Sequence, residues 1–191
     1  MSPVETLLGT PLPSSVEPPP SGPSATDLEA AAAAGAQIVA YNPKKLRDFV
    51  LGRITLGELE GIGKKAQYEL AETGYAYLAE NLLDKARRIF RGLALLDPYD
   101  AYFQLALGWI AQRENQLEEA EGYFSRSLEI NPYSAPALAG RGEVRLRRGK
   151  LLEAAQDLTG AVREDPEVRQ PATSRALALI AILRKQLEAT A

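Results

Sequence analysis

The chain contains neither histidine nor cysteine. That removes the usual general base, thiolate chemistry, disulfides and the commonest metal ligands together. Catalysis would have to rest on a carboxylate pair, a lysine, a serine or a tyrosine held in a closed pocket. No glycine-rich phosphate loop and no paired-acid motif is present, so no catalytic residue, cofactor site or metal site is assigned. Two charged groupings remain. Glu118, Glu119 and Glu121 suit the start of a helix, where acids favour the macrodipole. Arg141, Arg145 and Arg148, extended by Arg147 and Lys150, form a basic stripe at helical spacing. Such a stripe is a secondary surface for phosphate or an acidic partner, or else a face paired with Glu143, Glu153 or Asp157. No aromatic residue interleaves it, and the whole chain carries a net charge of −3. Both facts argue against nucleic acid as a partner.

The elements that position these residues are read from period and punctuation. Residues 1–43 form a Pro- and Ala-rich leader, with Pro18-Pro19-Pro20, a PxxP spacing at Pro20 and Pro23, and an alanine run from Ala30 to Ala34. Such a stretch cannot bury enough apolar surface to offset the entropy of ordering it, so a disordered leader is expected. No basic, apolar start marks a secretory signal and no window is apolar enough to span a bilayer. A cytoplasmic protein that does not insert into membranes is the resulting expectation. Residues 44–66 read as an N-terminal helical segment. Pro43 opens a helix from Lys44 to about Leu51, and Thr55 with Glu58 forms a capping-box pattern. Gly61 and Gly63 predict weak helicity beyond it.

From Gln67 onward three classes of position recur every 34 residues: Gly74, Gly108 and Gly142; Ala86, Ala120 and Ala154; Pro98, Pro132 and Pro166. This period and order are the signature of the tetratricopeptide repeat (TPR), a pair of antiparallel helices. The fold class is therefore all-α: a TPR solenoid of three repeats, 67–100, 101–134 and 135–168. A C-terminal capping helix follows in 169–191, running from Pro171 to about Glu188 with Leu177, Ile180, Leu183 and Leu187 turned to the array. The glycines let paired helices approach, the alanines sit at the tight crossing, and Phe90, Phe124 and Leu158 fill the space between pairs. The prolines end each second helix.

Resemblance to TPR proteins implies that four positions on the first helix of each repeat face a concave groove. Here the groove residues are Tyr68, Tyr75, Leu78, Tyr102, Leu105 and Trp109, with Ala71, Gln112, Pro136, Ala139, Glu143 and Leu146 completing the set. A wall of tyrosine, tryptophan and leucine suits an extended segment with spaced apolar anchors. TPR domains that clamp the acidic terminus of Hsp70 or Hsp90 carry basic and amide side chains at such places, so that ligand class is disfavoured.

The run Leu96-Asp97-Pro98-Tyr99-Asp100, then Tyr102-Phe103 and Leu105-Ala106-Leu107-Gly108, resembles the class II chaperones of bacterial type III secretion. Thr55-Leu56 is similar to the lead into their first repeat, and the likeness runs from about Leu46 to Leu187. It implies a non-catalytic protein that holds an extended, hydrophobic, translocator-like client in its groove and forms a homodimer through Lys44–Leu51. The competing expectation is a permanent scaffold subunit of a larger motility, pilus or signalling assembly.

Overall fold

Asn42 caps a helix by accepting the Lys44 amide on its side chain at 2.9 Å, with Pro43 in the first helical position. This produces α1, Pro43–Val50. The structure, a computed structural model, describes residues 42–190. The leader, its PxxP spacing and its alanine run lie outside them. Thr55 and Glu58 form a reciprocal capping box, at 3.3 and 2.7 Å, that starts the short α2, Leu56–Glu60. Gly61, at φ 76°, ends it in the left-handed conformation.

The next helix corrects the expectation of weak helicity around Gly63. α3 runs Lys64–Ala79 and begins a turn before Gln67. The extra turn is held from outside: the Lys64 ammonium reaches Asp97 and Asp100, and the buried Gln67 amide donates to the Ile62 carbonyl at 2.8 Å. Tertiary contacts outweigh the weak propensity of the glycines there.

The remaining helices are α4 (Leu83–Leu96), α5 (Ala101–Arg113), α6 (Leu117–Ile130), α7 (Ala135–Arg147), α8 (Leu151–Glu164) and α9 (Pro171–Thr190). α3 packs with α4, α5 with α6 and α7 with α8, each pair also touching the next, and α9 closes on α7 and α8. All regular structure among the described residues is helical. Ala86, Ala120 and Ala154 are each fully buried. A methyl group added at Gly74 would lie 2.7 Å from the Phe90 ring. Phe124 is held between two glycines, with an added methyl meeting it at 2.6 Å from either Gly108 or Gly140. The aromatic ring thus takes the place of two side chains and locks α5, α6 and α7 together.

The period extends into backbone conformation. Asn81, Asn115 and Gly149 occupy the same register of the turn inside each pair and all have positive φ, at 59°, 62° and 77°. Asparagine and glycine are the residues that tolerate this region. Helix starts follow a second rule. Asp100 caps α5 through the Tyr102 amide at 3.0 Å, and Ser134 caps α7 through Ala137. Val168 stands at the same register with no capping group and a φ of 53°. The last helix accordingly starts late, at Pro171, after Asp165 accepts the amides of Arg169 and Gln170 at 3.1 and 3.0 Å.

The packing face of α9 bears out Ile180 and Leu183, departs from expectation at Leu177, and leaves the Leu187 side chain outside what the structure describes. Ala176 is buried, and Ala172, Leu179, Ile180 and Leu183 pack on the core of Ala139, Leu158 and Ala161. Leu177 is 40% exposed and points away.

Candidate functional site

The Leu-Asp-Pro-Tyr-Asp run places two buried carboxylates at the junction of the first two pairs. Asp97 accepts the Tyr99 amide at 3.0 Å, and Asp100 caps α5. Lys64 bridges the two, 2.9 Å from Asp100, while the Tyr68 hydroxyl donates to the same Asp100 oxygen at 2.9 Å. Burial alone would lower the Lys64 pKa; the bonds to the two aspartates outweigh it and the net shift is upward. Burial, then the Asp100 contact, raises that of Tyr68. Sequence reasoning noted the motif and missed Lys64, whose partners lie far along the chain.

This junction orients the first ring of an aromatic series. Tyr68 lies 6.0 Å from Tyr102 and 5.8 Å from Phe103, centroid to centroid. Tyr75 follows, 5.2 Å from Tyr102, 6.4 Å from Trp109 and 5.0 Å edge-on to the buried Phe90. Tilted and edge-to-face arrangements of this kind are the favoured geometry of aromatic pairs. Burial, then the contact with the Tyr102 hydroxyl, pushes the Tyr75 phenol well above its ordinary pKa.

All six residues expected in the groove are brought together on α3 and α5, and they divide into two hollows. Tyr68, Tyr102 and Leu105 line one of about 310 Å³. Leu78 and Trp109 line another of about 550 Å³. Tyr75 joins them. Tyr68 and Tyr102 are 42% and 41% exposed and offer contact area, whereas Leu78 and Leu105, at 5% and 6%, act as floor. The larger hollow was not foreseen as a unit. Gln112 and Arg113 of α5 and Glu143 and Arg147 of α7 also line it, with Pro171, Ala172 and Arg175 from the start of α9.

The Arg141, Arg145 and Arg148 stripe is not an open basic surface. Arg141 grips Asp157 with two bonds of 2.9 and 2.8 Å. Arg145 spans Glu121 and Asp157, both at 2.9 Å. Arg148 and Lys150 also converge on Glu121, so the charges are spent tying α6, α7 and α8. The acids of the α6 start are correspondingly more than dipole partners, since Glu119 pairs with Arg87 at 2.9 Å. Desolvation works against ionisation of Glu121, yet the hydrogen bonds from Lys150 and Arg145 hold its carboxyl down at about 2. No group of acidic side chains among the described residues could hold a metal ion.

The paired helices define a TPR-type array, and comparison with solved structures sharpens the likeness. The chaperone SycD of Yersinia enterocolitica type III secretion, in complex with a peptide of the translocator YopD, is 25% identical with a TM-score of 0.58, over 65% of this chain and 98% of that one. A type III secretion complex from Aeromonas hydrophila is 22% identical with a TM-score of 0.66, over 75% of this chain and 97% of that one. The first TPR of Spaghetti, bound to an HSP90 peptide, is 20% identical with a TM-score of 0.57, over 64% and 97%. No protein-family model and no curated protein matches the sequence. The chain thus has the TPR fold and resembles the class II translocator chaperones.

Proposed function

We propose that this protein is a non-catalytic chaperone of the type III secretion kind, holding an extended, hydrophobic client segment against Tyr68, Tyr75, Leu78, Tyr102, Leu105 and Trp109. The observation that carries the reading is the continuous aromatic series on α3 and α5 beside two hollows. The likeness to a chaperone bound to a translocator peptide supports it. An open, ring-lined face offers apolar contact at low entropy cost and no enclosed place for bond chemistry. No helix among the described residues is long and apolar enough to cross a membrane, consistent with a cytoplasmic holder of clients. Exposed Leu46, Val50 and Leu51 on and beside α1 are where we place self-association.

Tyr102→Ala/Trp109→Ala should abolish capture of a translocator-type N-terminal peptide, weakening it at least about 100-fold by the usual cost of losing two central aromatics. Calorimetric titration of both proteins reads the effect, with circular dichroism showing that the double variant is folded. Undiminished binding would place the client on another face and favour the scaffold reading.

A further inference from the structure

The larger hollow has a chemistry that the aromatic series does not. Leu78 and Trp109 form its apolar side, while Arg113, Arg147 and Arg175 surround a single acid, Glu143. Three cations face one anion within a chain of net charge −3. The four part-buried arginines that tie the helices together elsewhere are matched by acids. Arg87, Arg141, Arg145 and Arg148 each bind carboxylates. In the hollow, Arg113 donates to the Leu78 carbonyl at 2.5 Å and Arg147 to the Asn115 side chain at 2.5 Å. Neither has a carboxylate partner among the described residues. Arg175 meets Glu143 at 3.4 Å, a long contact from a side chain that is 68% exposed. The first turn of α9 forms part of the wall, and its positive dipole end adds to the same field.

Resting on the groove reading above, we infer that this hollow selects a client segment bearing an acidic side chain beside its apolar anchors. The carboxylate would sit past Trp109 among Arg113, Arg147 and Arg175, accepting guanidinium hydrogen bonds while the anchors lie along the tyrosines. The excess of cations over anions is the complementarity that asks for an anion. The geometry of a guanidinium fork makes carboxylate the matching group. Glu143 is then a competitor for Arg175, and it raises the selectivity threshold by repelling a second acid.

The full chain and short synthetic peptides test this. The probes are acetylated, amidated twelve-residue peptides with two fixed leucines and either glutamate or glutamine, placed at successive positions after the second leucine. Trp109 is the only tryptophan, so its fluorescence reports occupancy of the hollow directly. At the best position glutamate should bind about tenfold more tightly than glutamine at low salt, the difference shrinking at about 0.5 M salt. Arg147→Gln should remove most of that preference and Glu143→Gln should enlarge it. Opposite signs from two neighbours on one helix cannot come from loss of folding. Equal binding of the two peptides, or a preference indifferent to both substitutions, would overturn the acidic selectivity and leave the aromatic groove standing. Binding of neither peptide, with Trp109 emission unchanged, would overturn both. Free-acid peptides with glutamine form the last arm: if they regain the preference, the group recognised is a chain terminus and the side-chain assignment is wrong.

Discussion

At the scale of single residues, the side chains that look most available for binding are those with the least freedom to bind. Arg141, Arg145 and Arg148 form an uninterrupted basic stripe in sequence, and in the fold they share Glu121 and Asp157, whose side chains are 12% and 6% exposed. Removing Glu121 would leave Arg145, Arg148 and Lys150 without their common anion. Glu121→Gln should therefore destabilise the protein by about 1–3 kcal/mol near neutral pH. The pH dependence has a definite sign. A carboxyl lowered from 4.5 to about 2 on folding contributes stability that is present above 4.5 and lost as pH falls towards 2. Wild type and variant should converge over that window in urea unfolding. A gap that stays constant down to pH 2.5 would show that the ionised carboxylate is not the source.

At the scale of elements, the array repeats its turns as faithfully as its helices, and the departure at the start of its last helix is informative. Asp100 and Ser134 cap the first helix of their pairs, and Val168 cannot. A β-branched residue at φ 53° is strained by contact between its side chain and the backbone. Val168→Asn should relieve that strain and raise stability by about 1 kcal/mol, seen as a higher thermal midpoint. A lower midpoint would mean that the valine side chain contributes more by packing than its conformation costs. The glycine positions follow from the same close geometry. Gly74 and Gly108 were legible because they recur; Gly140 was not, because its partner Phe124 belongs to the preceding pair. A period reveals residue types that recur, and one period before Gly140 stands Ala106, so no glycine recurs there.

At the scale of the whole array, each pair buries its apolar flank on the next, and α9 covers the flank of the last. Ending the chain at Gln170 would uncover Leu158 and Ala161, both fully buried. That truncation should cost about 2–4 kcal/mol from the area bared and produce binding of an apolar dye; an unchanged unfolding midpoint would deny α9 its capping role. The sequence alone determined the repeat, the helix pairing, the capping box and the aromatic character of one helix face. These are set by backbone conformation and local sterics, which leave glycine, proline, asparagine and capping side chains at fixed intervals. Only the tertiary structure decided which charges are spent and which are left over. Lys64 meets Asp100, Arg145 meets Glu121, and Arg113 and Arg147 meet no acid among the described residues. The physical reason is reach: a long charged side chain has the same spacing signature in solvent, in an ion pair or beside a ligand, and the neighbour that distinguishes them comes from another helix.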